Sequence, residues 1–280
     1  QNIIMSKKFM NKPLIFLTND DGIHSPGLKA SIQGVLGLGR IVVAAPSRQQ
    51  TAMSRSHVGA TDAKLEPVPY DIEGNKIEAY TCDCSPSLIV QLAYNILFKG
   101  QLPDLAVSGI NYGENIGSNV SVSGTVGAAF EASSLGTPAL AVSKQTKTDS
   151  HFEYTKQDWR PSIYFLNRFA IQVLSQGFPK DIDILKIDVP ADANEKTACE
   201  FTEVADQPYY ETYFDAPPLN SKVSDIRVRI VYDKEQLSHT SDIYVLAEKK
   251  HVAVCPMKFN YQNGVDITAM QYLLKNSSAN

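Results

Sequence analysis

The chain has 280 residues, of which 43% are hydrophobic and 20% charged, and its formal net charge is −4 with a pI near 5.8. That is the composition of a globular protein able to bury a sizeable core. The acidic balance argues against general nucleic-acid binding, and no apolar run approaches the ~20 residues needed to cross a bilayer, so no membrane association is expected. Gln1 to Lys12 lacks the apolar core and small-residue cleavage site of a signal peptide. Met5 or Met10 is a candidate start, and a cytoplasmic location is expected. The cysteines at 82, 84, 199 and 255 lack zinc-site spacing and read as ordinary thiols.

In chain order, Leu14 to Leu17 is a short apolar run, the pattern of a strand buried on both faces of a parallel sheet. The chain then turns polar at Asn19, Asp20, Asp21 and Gly22. Two adjacent carboxylates at a strand end repel one another, so a positive partner is expected beside them, most simply a hard divalent cation. The same residues also suit a plain turn. Ser25-Pro26 reads as an N-cap and first helical position, opening a helix over Leu28 to Leu38. Ile41 to Ala45 is a second buried strand, ended by Pro46, and the loop Ser47 to Ser54 is polar and basic, with Arg48 in it. Strand, helix and strand make a βαβ unit, whose strand-end loops should lie side by side where ligands collect.

Ala60 to Ala79 reads as a meander of short strands, and Ser85-Pro86 starts a helix running to Phe98. Leu105 to Val107 is a third buried strand, followed by the Gly/Asn/Ser loop Ser108 to Gly117. A helix opens at Ser123-Gly124-Thr125 and runs to about Leu135; its free N–H groups suit an anion. The spacing is neither that of a Walker A loop nor that of a dinucleotide fingerprint. A strand is predicted over Pro138 to Ser143, a polar excursion over Lys144 to Arg160, a helix over Arg160 to Gln176, and an alternating strand over Ile182 to Val189. Asp206 to Leu219, rich in Tyr and Pro, and the alternating Val223 to Tyr232 predict an extended arm or hairpin. Asp242 to Pro256 reads as a strand pair and Ile267 to Leu274 as a final helix.

Thr18 to Gly27, Ala45 to Thr51, Pro103 to Gly117 and the run Ser-Gly-Thr-Val-Gly-Ala-Ala at Ser123 to Ala129 together closely resemble the SurE (survival protein E) family of divalent-metal-dependent nucleotidases, also described as acid phosphatases. The likeness is dense in the first half and thin in the second, through Asp188-Val189-Pro190, Asp242 to Pro256 and Asp266-Ile267-Thr268. The resemblance implies an α/β fold: a Rossmann-like three-layer α/β/α core with a mostly parallel sheet and a C-terminal β-hairpin or arm extension. Residues 1–280 are then one domain, with a core at about 13–200 and an arm, strand pair and helix at about 201–280. It implies one divalent metal ion per subunit (Mg, Mn or Ca), held by Asp20, Asp21, Thr51 and Asn111. All four are oxygen donors, as such cations require. It also implies homodimers or homotetramers through the arm. Three departures stand out: Thr51 where the family has serine, Leu88 where it has an aspartate, and Ser118-Asn119 where it often has two acidic residues.

The implied reaction is hydrolysis of a phosphate monoester, a nucleoside monophosphate above all, by metal-assisted attack of water. Asp20, Asp21 and Asn19 form the catalytic set. Asn19, Ser123, Gly124, Thr125 and Arg48 are the expected phosphate binders, and His24 and His57 are candidate proton-transfer groups. Two rivals stay open at this point. One is a covalent phosphatase with Asp20 as nucleophile; the other is a catalytically weakened nucleotide- or metal-binding regulator of the same fold.

Overall fold

The computed structural model describes residues 12–147, 154–215 and 218–260, together with Thr268. The helix expected over Ile267 to Leu274 and most of Gln1 to Lys12 lie outside the described residues. The first strand, β1 (Leu14–Thr18), is buried along its whole length. Its alternate side chains serve two cores: Ile15 and Leu17 face one layer, and Leu14 and Phe16 the other. Helix α1 (Pro26–Val35) starts as expected, with Pro26 in its first turn and the Ser25 hydroxyl accepting from Gly27 N. It ends before Leu36, short of the predicted Leu38. Strand β2 (Arg40–Pro46) pairs parallel with β1 and completes the βαβ unit.

The stretch read as a meander holds three two-residue strands, β3 (Glu66–Pro67), β4 (Asp71–Ile72) and β5 (Asn75–Lys76). It leads into β6 (Glu78–Cys82), which runs parallel to β2 and was not expected. Its sequence, Glu-Ala-Tyr-Thr-Cys, is half exposed and lacks the apolar run of a central strand. Helix α2 (Pro86–Ile96) follows, then β7 (Leu105–Tyr112), α3 (Gly124–Ser134), β8 (Ala139–Lys144), α4 (Arg160–Gln176) and β9 (Ile184–Val189). The main sheet is completed by β10 (Cys199–Phe201) and β13 (Val252–Met257), and its strand order is β10-β13-β9-β8-β7-β1-β2-β6-β3. From β9 to β6 every neighbouring pair is parallel; only β13 with β9 and β3 with β6 run antiparallel.

Helices α1 and α4 cover one face of the sheet, where Leu28, Ile32, Phe165 and Leu166 join Ile15 and Leu17. Helices α2 and α3 cover the other face, with Ile89, Val90, Val126 and Ala129 around Phe16. On that side Phe16, Tyr94 and Phe98 pack edge to face at 5.3–5.9 Å between ring centroids. This is the expected three-layer α/β/α core with a mostly parallel sheet.

Three corrections bear on the site. Strand β7 continues to Tyr112, so Asn111 lies in the sheet rather than in a loop. The continuation passes through a bulge between Gly109 and Asn111, where the register with β8 shifts. Gly109 has φ of +123°, and a Cβ there would lie 2.2 Å from Val142 O, so a side chain is excluded. Second, Asp242 to Pro256 is not a strand pair. Tyr244–Glu248 forms one π-helical turn, and only β13 follows as a strand. Its cause is Asp242, whose Oδ1 accepts from Ile243 N at 2.9 Å and Ala205 N at 3.0 Å, starting a helical turn where alternation predicted a strand. Third, β9 is buried on both faces, although its sequence alternates. Lys186 Nζ lies 2.6 Å from Asp188 Oδ2 and 3.1 Å from Asp242 Oδ2, so the polar positions close on one another inside the protein. The expected hairpin is present as β11 (Tyr210–Tyr213) paired antiparallel with β12 (Arg227–Ile230). Its base packs in a small third core of Ile116, Tyr209, Ile243 and Leu246.

Candidate active site

Strands β1, β2 and β7 end side by side, and the chain leaving each contributes to one cleft of about 200 Å³. Asp20, Asp21, Thr51, Asn111 and Ser123 all line it. These come from four separate stretches of sequence, brought together by the parallel order of the strands. Asn19 is wholly buried beneath them. Its Nδ2 donates to Gly22 O at 3.1 Å and its Oδ1 accepts from Gly22 N at 3.2 Å, closing the tight turn that presents the two aspartates.

Each aspartate is held by a different element. Asp20 Oδ1 accepts from the Thr125 hydroxyl at 2.6 Å, and Gln50 N donates to the Asp20 carbonyl at 2.7 Å. A Cβ on residue 124 would lie 2.7 Å from Asp20 Oδ2, so the glycine at the start of α3 is what lets the helix approach this carboxylate. Asp21 Oδ2 accepts from Tyr112 N at 3.2 Å, and its Oδ1 accepts from Gln49 Nε2 at 3.3 Å. The Tyr154 phenol donates to the Asp21 carbonyl. Burial pushes the Asp20 carboxyl up against the pull of its Thr125 bonds. Burial and then the neighbouring Asp20 charge push Asp21 well up. Two carboxylates in this state are short of positive charge.

Among the described residues, no three His, Cys, Asp or Glu side chains cluster as a metal site. A cation here would rest on two carboxylates, a hydroxyl and an amide oxygen. That donor set fits a hard, oxygen-seeking ion and does not fit zinc. Asn111 is oriented for such a role: its Nδ2 donates to Gly113 O at 2.8 Å and Tyr112 O at 3.3 Å, leaving Oδ1 as its remaining polar atom. Thr51 sits on the exposed rim.

The other expected residues divide. The Ser123 hydroxyl accepts from Val126 N at 3.1 Å, capping α3, and Gly124 stands at the helix start facing Asp20. Thr125 is committed to Asp20 and does not line the cleft. Arg48 lies outside the lining, exposed and paired with Asp83 at 3.2 Å. His24 is exposed away from the cleft, and His57 lies 3.3 Å from Glu131, which also binds Arg55 and Gln91. That cluster ties the loop after β2 to α3.

Several residues at the site escaped sequence reasoning. Glu114 is buried in the cleft wall; its Oε2 accepts from Thr146 N at 3.3 Å. Burial pushes its carboxyl up to about 7, opposed by bonds that include Tyr210 and Thr146, with Asp188 adding to the rise. An acidic residue inside a Gly/Asn loop was the only signal. The Lys186–Asp188–Asp242 group fixes the same loop from below. Asp188 Oδ1 accepts from Asn115 N at 2.8 Å, and both oxygens of Asp242 lie 3.2 Å from Gly117 N. Burial opposes charge on Lys186, but Asp188 and Asp242 hold it protonated and raise it overall. Finally, Tyr210, Thr212 and Val228 bring the hairpin to the cleft. Nothing local in the sequence marks that contact.

A family model described as Survival protein SurE matches residues 15–211. A protein of Methanosarcina mazei named 5′-nucleotidase SurE is 32% identical over 270 residues, covering 94% of this chain and 98% of the relative. One of the same name from Thermococcus gammatolerans is 36% identical over 262 residues, covering 93% of this chain and 95% of the relative. The crystal structure of the SurE protein from Aquifex aeolicus superposes with a TM-score of 0.72 at 25% identity, covering 94% of this chain and all of that one.

Proposed function

The chain belongs to the SurE family, and on that premise we propose that it hydrolyses phosphate monoesters, nucleoside monophosphates above all, with one divalent cation held by Asp20, Asp21, Thr51 and Asn111. The observation that carries this reading is the pair Asp20 and Asp21, buried side by side at a strand end in a cleft whose lining, among the described residues, contains no Lys, Arg or His. A cation held by these residues would supply the missing positive charge, and its chemistry there would be to polarise the phosphate and lower the pKa of a water nucleophile.

The chain's own residues set the geometry. Asn19 and Gly22 lock the turn, Thr125 orients Asp20, and Tyr112 N with Gln49 orients Asp21. The start of α3 at Ser123 and Gly124 offers helix N-terminal amides to the phosphoryl oxygens, where they stabilise charge that grows in the transition state. Asn19 supports the site through the turn it closes, and Arg48 remains a candidate for long-range attraction of the phosphate from the cleft's exterior.

Phosphate release from a panel of nucleoside monophosphates, with Mg²⁺, Mn²⁺ or EDTA, tests the reading. Release that requires a metal supports it. Nucleotide binding without release under any metal favours the regulator, and a trapped phosphoryl group on Asp20 favours the covalent route. No structural feature favours either rival. Self-association through the arm is a second part of the proposal, supported by exposed apolar side chains at Leu219 (96%) and Val223 (86%). Light scattering that reports a monomer at micromolar concentration contradicts it. No helix among the described residues is long and apolar enough to cross a membrane.

A further inference from the structure

The lining of the cleft divides into two chemically distinct groups. One presents the oxygen donors Asp20, Asp21, Thr51, Asn111 and Ser123. The other, Val122 with Tyr210, Thr212 and Val228 of the hairpin, mixes apolar surface, one ring and one hydroxyl, with the buried Glu114 bonded to Tyr210. Among the described residues that line the cleft, none carries a cationic side chain. The hairpin's share of the lining suits an uncharged group with flat apolar faces.

Three of those wall residues belong to one face of the hairpin. Thr212 stands directly opposite Val228 in the antiparallel register, and Tyr210 stands opposite Ile230. Residues two apart share a face of a strand, so Tyr210 and Thr212 point to the same side. The intervening pair, Glu211 opposite Arg229, points away and is closed by a hydrogen bond of 2.7 Å from Arg229 Nε to Glu211 Oε2. The hairpin therefore turns its apolar face to the cleft and its ion pair outward.

What holds it there is Asn119. Its Oδ1 accepts from Tyr209 N at 2.7 Å and Tyr210 N at 2.8 Å, and its Nδ2 donates to Tyr210 O at 3.1 Å. Beside it Ser118 N donates to Gln207 O at 3.1 Å. Only an amide makes all three Asn119 bonds. An aspartate accepts the first two, but it has no donor for Tyr210 O and sets a carboxylate oxygen against it. Asn119 is also only four residues before Ser123, so a single short segment carries both the hairpin's anchor and the start of α3.

We propose that this hairpin face is the nucleoside wall of the cleft, and that Asn119 is the positioning residue that fastens it. The cleft is thereby matched to monophosphates that carry a ring-bearing organic group. The inference rests on the phosphomonoesterase reading above and specifies which part of the substrate the hairpin face receives.

The test is the ratio of kcat/KM for adenosine 5′-monophosphate to that for methyl phosphate, in the full-length, metal-supplied protein. Asn119→Asp should lower this ratio about ten-fold, chiefly through KM for the nucleotide, because a lost bond and an opposed oxygen pair loosen the wall. Val228→Trp, which fills the wall without touching the anchor, should lower it as well, whereas Arg229→Ala on the outward face should keep it. Hydrogen exchange should show faster exchange across 205–213 in Asn119→Asp, a readout independent of turnover. An unchanged ratio in both Asn119→Asp and Val228→Trp overturns the proposal, and so does unchanged exchange in Asn119→Asp. If wild type hydrolyses methyl phosphate as well as the nucleotide, the wall is overturned while the phosphomonoesterase reading stands. If it hydrolyses neither, that reading fails, and calorimetric binding of adenosine 5′-monophosphate decides the wall: equal affinity in wild type and Val228→Trp overturns it.

Discussion

The floor of the cleft and its hairpin wall are built on different principles. At the floor, Asn19, Asp20 and Asp21 are buried at the end of a central strand, and sheet, helix and turn each hold them independently. At the wall, a two-stranded hairpin with several exposed residues reaches the cleft through its base and the Asn119 amide. The floor is fixed by the same packing that makes the fold, so its geometry is preorganised. The wall is an attachment that can change without disturbing the core. In the reading proposed above, chemistry on the first and recognition on the second would let substrate preference shift while the reaction is kept.

That contrast can be broken at the floor. Asp21→Asn removes one of two carboxylates from the cation and should reduce metal-dependent kcat/KM about a hundred-fold or more, since even residues that only support a ligand are worth 10–100-fold. Thermal unfolding should stay cooperative; steady-state kinetics at saturating Mn²⁺ checks the loss.

Next in size is the support under the loop. Lys186→Met leaves Asp188 and Asp242 buried without their cation and should destabilise the fold by about 3–5 kcal/mol. Chemical denaturation measures this, and a stability unchanged from wild type would show that the triad does not anchor the loop.

Glu114 gives a smaller, pH-dependent effect. Burial raises its carboxyl from the ordinary 4.5 to about 7, so the folded chain binds that proton more tightly than the unfolded chain does. Its contribution is fully present below pH 4.5 and is lost as pH rises through about 7. Glu114→Gln, which keeps an acceptor for Thr146 N, should therefore gain stability over wild type at pH 8 by up to about 3 kcal/mol and gain little at pH 4. Melting temperatures in EDTA at the two pH values check it; an equal gain at both would contradict the assignment.

The smallest change is expected at the rim. Thr51→Ser keeps the hydroxyl and removes one methyl group, worth roughly 0.8 kcal/mol or about four-fold in kcat/KM at most. A larger loss would mean that the methyl group shapes the metal's surroundings.

The floor was largely legible in the sequence because its parts are local: an apolar run ending in Asn-Asp-Asp-Gly, and a Ser-Pro helix start. The resemblance added Thr51 and Asn111, and both line the same cleft as the aspartates. Asn111 was misplaced in a loop because the bulge at Gly109 lets β7 continue through residues that favour turns. Lys186 and Asp188 read only as positions in an alternating strand and Asp242 as the start of a strand pair, since only tertiary packing closes the two acids on the lysine. Asn119 drew notice only as a departure from the family's acids. Its use appears once Tyr209 and Tyr210, ninety residues away, are brought against it.

The central claim is that Asp20 and Asp21 together hold one divalent cation. Mn²⁺ binding followed by electron paramagnetic resonance, in the chelator-treated chain and in a variant with both Asp20→Asn and Asp21→Asn, tests it most directly. The account predicts one site per chain in wild type and none in the double variant. Equal Mn²⁺ binding by the two proteins would contradict it.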